Sequence, residues 1–156
     1  MKYMTKELWQ QMNDEDESVC KAAEKQWLEN MALYDQRMEG LKKKLPRRFL
    51  KNYAASGSLH DYIITSISLR QRHGKKEKKE VEMQLEDGAE TLLLTFSGVR
   101  AFRLSIECFE ECVGGSLSWG FAEFSRTPQN TWQIDLLFDL VNEGAIEFET
   151  VRLEKQ

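Results

Sequence analysis

An α+β fold is what this sequence predicts: N-terminal helices, one of them long, followed by a curled antiparallel meander sheet of about seven strands. Three observations carry that expectation. Apolar residues recur at helical spacing up to Ser58, they alternate with a period of two beyond it, and the turn signals after Ser58 leave no room for the crossover helices that parallel strands need. The chain has 156 residues, 41% of them hydrophobic and 31% charged, enough for a core of its own without staples. One α+β domain over 1–156 is expected, with 1–58 as a helical subregion and 59–156 as the sheet.

Thr5 is placed to cap a brief first helix ending near Met12, with Asn13 as the break. From Asp14 to Leu45, Val19, Ala23, Trp27, Met31, Tyr34, Met38, Leu41 and Leu45 step by three or four residues, the stripe of one long amphipathic helix. Acidic residues 14–17 would sit in its first turn and Lys42, Lys43 and Lys44 in its last, as the helix dipole favours. Pro46 lacks the amide needed to continue, so a short helix restarts there and runs to Ala55, closing near Gly57. The Trp27 to Leu45 stripe is expected to cover the apolar face of the sheet.

The first strand is expected to open with His60-Asp61, after Ser58-Leu59, with Ile63, Thr65, Ile67 and Leu69 on one face. Val81, Met83 and Leu85 form the apolar side of the second, and Asp87-Gly88 is a hairpin signal before Leu92, Leu94 and Phe96. After the Ser97-Gly98 turn, Phe102, Leu104 and Ile106 share a face. Three further strands are expected at Leu117–Ser125, Thr131–Asp139 and Ala145–Leu153, with Trp132, Ile134, Leu136 and Phe138 together and Ile146 and Phe148 inward.

Composition narrows function. No apolar run is long enough to span a membrane and the first residues carry no secretion signal, so a soluble cytoplasmic protein is expected. Cys20, Cys108 and Cys112 are odd in number and read as structural thiols, and no cofactor or metal is expected. The net charge of −4 hides an asymmetry: residues 1–58 hold 11 Lys and Arg against 9 Asp and Glu, and residues 59–156 hold 11 against 17. Six of those later cations, Arg70, Arg72, Lys75, Lys76, Lys78 and Lys79, fall within ten residues, around His73-Gly74. That basic tip is the candidate nucleic-acid contact, but it has no interleaved aromatic residues for base stacking, and a solvated hairpin is the simpler reading.

Elsewhere the polar residues follow strand alternation. Asp135, Asp139, Glu147 and Glu149 oppose the apolar face and form an acidic solvent side, suited to steering a basic partner. His60 and Asp61 are a search image for acid–base work, yet neighbours on an extended strand point to opposite faces, so they are not expected to pair. Trp119 stands in an aromatic cluster that is either core or a binding hot spot. Gly114-Gly115 opens no helix and cradles no phosphate.

The opening Met1-Lys2-Tyr3-Met4-Thr5-Lys6-Glu7-Leu8, the strand Leu59-His60-Asp61-Tyr62-Ile63-Ile64-Thr65-Ser66-Ile67, and Trp132-Gln133-Ile134-Asp135-Leu136-Leu137-Phe138-Asp139 followed by Ala145-Ile146-Glu147-Phe148 carry a resemblance. So does Leu94-Thr95-Phe96-Ser97-Gly98-Val99. Together they resemble an uncharacterised family of small cytoplasmic proteins from Gram-positive bacteria, similar in style to the immunity proteins of toxin systems. That resemblance implies no catalytic residue. It implies a protein that binds and blocks a cognate toxin.

The expected function is therefore non-enzymatic protein binding, of immunity or adaptor type, through an acidic sheet face, with a basic toxin as the model partner. Tentative contact residues are His60, Asp61, Asp135, Asp139, Glu147, Glu149 and Trp119. A small hydrolase or nucleotide-processing enzyme using His60 with Asp61, Asp135 or Asp139 is the alternative from another class. Nucleic-acid binding by the 70–79 segment is the third. A helix of about thirty residues, roughly 45 Å long, exceeds what one small sheet needs, and a homodimer would use the excess.

Overall fold

The computed structural model describes residues 1–72, 77–107, 116–138 and 142–156. Three helices come first: α1 (Lys6–Met12), α2 (Glu17–Leu41) and α3 (Arg47–Ala55). Eight strands follow among the described residues: β1 (Ile63–Arg72), β2 (Lys78–Glu86), β3 (Thr91–Ser97), β4 (Ala101–Ser105), β5 (Phe121–Arg126), β6 (Trp132–Leu137), β7 (Glu143–Phe148) and β8 (Thr150–Lys155). The Thr5 side chain caps α1 by accepting from the Leu8 amide at 3.2 Å. Asp16, rather than Asp14, caps α2 through the Ser18 amide at 2.8 Å, so α2 starts later than the periodicity suggests. Its helical hydrogen bonding ends at Leu41. Lys42–Lys44 tighten into a 3-10 turn, and Pro46 then stands as the cap of α3. Among the described residues no helix is long and apolar enough to cross a membrane.

The strands form two four-stranded antiparallel sheets, ordered β1-β2-β3-β8 and β4-β7-β6-β5, not one seven-strand meander. The difference arises at Glu149. The segment expected as one strand bends there, so that β7 pairs with β4 and β6 while β8 turns away to pair with β3. The β3–β4 passage bends beside it at Gly98, whose φ of 69° suits glycine. Across this corner the Glu149 amide donates to the Ser97 carbonyl at 3.0 Å and the Arg100 amide to the Glu147 carbonyl at 2.8 Å. Elsewhere the start of β1 meets the segment before β5: Ile64 donates to Leu117 and Trp119 to Tyr62, both at 2.8 Å.

The inner faces meet in one core. Val81, Met83, Leu85, Leu94 and Phe96 from the first sheet and Ile134, Leu136, Ile146 and Phe148 from the second are all buried, as their alternation predicts. Phe96 and Phe148 pack edge to face with ring centres 4.9 Å apart. Each such side chain contributes about 1.5–3 kcal/mol by leaving water. In β1 the register shifts between Ile64 and Ser66, and this bulge at Thr65 lets both Ile64 and Ile67 turn inward. Leu69 stands opposite the buried Val81 but on the edge strand β1, and is 70% exposed.

The α2 stripe does not blanket the sheet. Only Ala23 and Trp27 of α2 are buried, and it is α3, with Phe49 at 2% exposure, that enters the core. Instead α2 lies along the edge strand β5, where the Phe124 amide, unpaired on that side, donates to the Tyr34 hydroxyl at 2.7 Å. Trp9 of α1 and Trp27 of α2 both pack edge-on to Phe121 of β5, with centroids 5.1 and 4.7 Å away. Gly120 makes room for this: a methyl there would lie 2.7 Å from the Leu137 carbonyl oxygen and 2.8 Å from the Trp9 ring.

Candidate functional site

His60 and Asp61 touch. His60 Nδ1 lies 3.0 Å from Asp61 Oδ2, contrary to the expectation from an extended strand. The reason is local backbone: β1 begins only at Ile63, and Gly57, Ser58, Leu59 and Asp61 all have positive φ, between 57° and 68°. Three of these are not glycine, at a cost of about 1–3 kcal/mol each. Such a tight left-handed passage places neighbouring side chains on one side. The pair is nevertheless a surface feature, with the His60 side chain 45% and the Asp61 side chain 87% exposed. Its carboxylate comes from the turn, not from a strand at the floor of a pocket.

The His60 ring packs edge-on to Phe121 at 5.0 Å and forms part of the rim of a half-open groove between α2, α3 and β5, of about 340 Å³. Met4, Met31, Met38, Phe49, Phe121 and Phe124 give the groove an apolar lining, with Tyr34 and Tyr53 among them. Burial pushes the Tyr34 and Tyr53 hydroxyls well above the ordinary tyrosine range; Trp119 and Ser58 ease the shift at Tyr53. Trp119 is core, at 1% exposure, and not a surface hot spot as its cluster allowed.

The acidic residues divide into distinct environments. Asp135 and Glu147 share the outer face of the second sheet, since Asp135 stands opposite Ala145 and Glu147 opposite Gln133. Both are half-buried and hydrogen-bond to neutral side chains: Gln133 Nε2 donates to Asp135 at 2.8 Å, and Thr131 Oγ1 to Glu147 at 2.6 Å. Glu143 is on the same face, opposite Leu137, and Arg103 of β4, opposite Ala145, brings one cation. Glu149 leaves this group. It sits exposed at the corner, 3.7 Å from Arg100. Asp139 lies outside the described residues.

Glu123, on the same outer face through its pairing with Asp135, went unnoticed in the sequence. It is buried, and its carboxylate accepts from three successive backbone amides of Lys2, Tyr3 and Met4 at 2.8, 2.8 and 2.6 Å. The N-terminal strap is thus clasped to β5, with Asn30 Nδ2 donating to the Tyr3 carbonyl at 2.7 Å and Lys6 reaching Glu107 at 2.8 Å. One Glu in an alternating strand gives no sign of this, because its partners are backbone groups more than a hundred residues away.

The basic hairpin is partly neutralised. Arg70 Nε is 2.9 Å from the buried Glu82, Arg72 stands opposite Lys78 in the β1–β2 register, and Lys78 and Lys79 are exposed. Lys75 and Lys76, with His73, lie outside the described residues, as do Cys108, Cys112 and Gly114-Gly115. Cys20 is half-buried and its thiol donates to the Met12 carbonyl at 3.0 Å. Among the described residues no group of three or more His, Cys, Asp or Glu side chains is disposed to hold a metal ion. No family model, curated protein or solved structure matches this chain.

The geometry offers two things chemically. One is an apolar groove lined by His60 and by one carboxylate, Asp35. The other is an acidic sheet face whose carboxylates are held by neutral donors and so keep their charge toward solvent.

Proposed function

We propose that this chain is a non-enzymatic protein-binding module, of immunity or adaptor type, whose partner is a basic protein docked on the outer face of the second sheet. The observation that supports this reading is that, among the described residues, no ion pair reaches Asp135 or Glu147, whose carboxylates accept from Gln133 and Thr131, while Glu82, Glu90 and Glu154 around the first sheet each meet a cation. Unneutralised charge on a rigid strand pair steers a partner of opposite sign and fixes its orientation. His60 supports catalysis less well, because its carboxylate partner is exposed and turn-borne.

The test is capture of a partner from lysate followed by reconstitution with that purified partner. The Asp135→Lys/Glu147→Lys variant should bind it at least about tenfold more weakly, and added salt should weaken the wild-type complex. Glu154→Lys on the first sheet is the control and should bind normally. Equal binding by wild type and the double variant, with both shown folded by circular dichroism, would overturn the docking face.

A further inference from the structure

The groove between α2, α3 and β5 has its own chemistry, separate from the acidic sheet face. Its walls carry five aromatic rings, Tyr34, Phe49, Tyr53, Phe121 and Phe124, together with methionines. Methionine side chains adapt to ligands of varied shape, and aromatic faces attract cations. Among the described residues no lysine or arginine lines the groove, and Asp35 is its one carboxylate. The volume of about 340 Å³ falls at the lower end of the range for small-ligand sites, roughly 300–1,000 Å³.

One further feature singles this place out. The strained backbone at Ser58, Leu59 and Asp61 lies at the groove, with Gly57, Ser58 and His60 all lining it. Backbone in sparsely populated conformations is retained where it positions something.

We propose that this groove binds a small amphipathic cation, an apolar body carrying an ammonium group, with the body on the methionine and aromatic walls and the ammonium against Asp35. Three properties select this class over others. An anionic amphiphile would meet Asp35 with no lysine or arginine beside it among the described lining residues. A neutral apolar molecule would gain nothing from Asp35. A fully polar cation would leave the aromatic walls unfilled.

A matched trio with one tail decides it: n-octyltrimethylammonium, n-octanol and n-octanoate, titrated below their micelle-forming concentrations into the full chain by calorimetry. The cation should bind at least about tenfold more tightly than octanoate, with octanol between them. Asp35→Asn, a change at an exposed position of α2, should weaken the cation by at least about threefold and leave octanol unchanged. Ala122→Met, which fills the groove from β5, should weaken all three. Methyl NMR should show the cation perturbing Met4, Met31 and Met38. Octanoate binding as tightly as the cation, no binding of the cation at millimolar concentration, or no effect of Asp35→Asn would overturn the proposal. So would perturbations confined to the β6 and β7 face, which would mean attraction to the acidic sheet alone. Asp135→Lys/Glu147→Lys should leave cation binding unaltered, which separates this site from the protein-docking face.

Discussion

Around the first sheet, three carboxylates meet cations: Arg70 lies 2.9 Å from Glu82, Lys155 2.8 Å from Glu90, and Arg48 3.7 Å from Glu154. On the outer side of the second sheet, Glu123 is fastened by three backbone amides and Asp135 and Glu147 by neutral side chains. Both arrangements satisfy the lone pairs of a carboxylate removed from water. They differ in what is left over. A side-chain cation cancels the charge, whereas backbone and amide donors satisfy hydrogen bonding and leave the charge in place. Glu82, Glu90 and Glu154 are thereby matched by cations, whereas Asp135 and Glu147 keep a negative charge that another molecule can use.

The strongest way to break this comparison is to remove one carboxylate from each side. Glu123→Ala leaves three amides without their acceptor and frees the strap that buries Met4, and it should lower unfolding free energy by about 3 kcal/mol. Glu82→Ala removes a carboxylate whose partner Arg70 is 63% exposed, and should cost about 1 kcal/mol. Urea unfolding measures both. Equal losses would mean that the clasp is no stronger than a surface ion pair.

Acid sharpens it. The Lys155 ammonium and then the Tyr62 hydroxyl hold Glu90 below its ordinary value of 4.5, and the amides of Glu90 and Ala89 hold Asp87 below 3.8. A depressed folded-state pKa gives stability that is complete above the unfolded value and is lost as pH falls through the folded one. The end of the first sheet should therefore weaken below about pH 4.5. Thermal melts from about pH 6 down to about pH 3 should show a shallower acid limb in Glu90→Gln than in wild type, and identical limbs would refute this contribution.

The smallest effect belongs to Asp135→Asn. The amide keeps an acceptor for Gln133 and loses only charge, so stability should change by less than about 0.5 kcal/mol while the partner affinity falls. A large stability loss would show that the carboxylate is structural.

Much of the fold is legible in the sequence because it depends on local pattern. Thr5, Pro46 and the alternation of Trp132, Ile134 and Leu136 each act on near neighbours, and each falls where the pattern puts it. The errors share a different cause. Glu149 divides a strand only because β8 finds β3 and β7 finds β4, which is a decision made between distant segments. The bulge at Thr65 likewise reflects pairing with β2. At the candidate site, the residue types of the acidic face were visible, but neither the His60–Asp61 contact nor the Glu123 clasp was. The first depends on positive φ at residues that are not glycine, and the second on amides that carry no sequence signature.

The clasp also sets an order of assembly. Residues 2, 3 and 4 bond to a carboxylate 119 to 121 positions further along the chain. During synthesis residues 2–4 are made well before Glu123 and Phe121 and can be secured only once those have left the ribosome. Until then Trp9 and Trp27 lack the ring they pack against. A nascent chain halted before β5 carries two unshielded indoles on its helices, the kind of surface that chaperones recognise and that aggregation exploits.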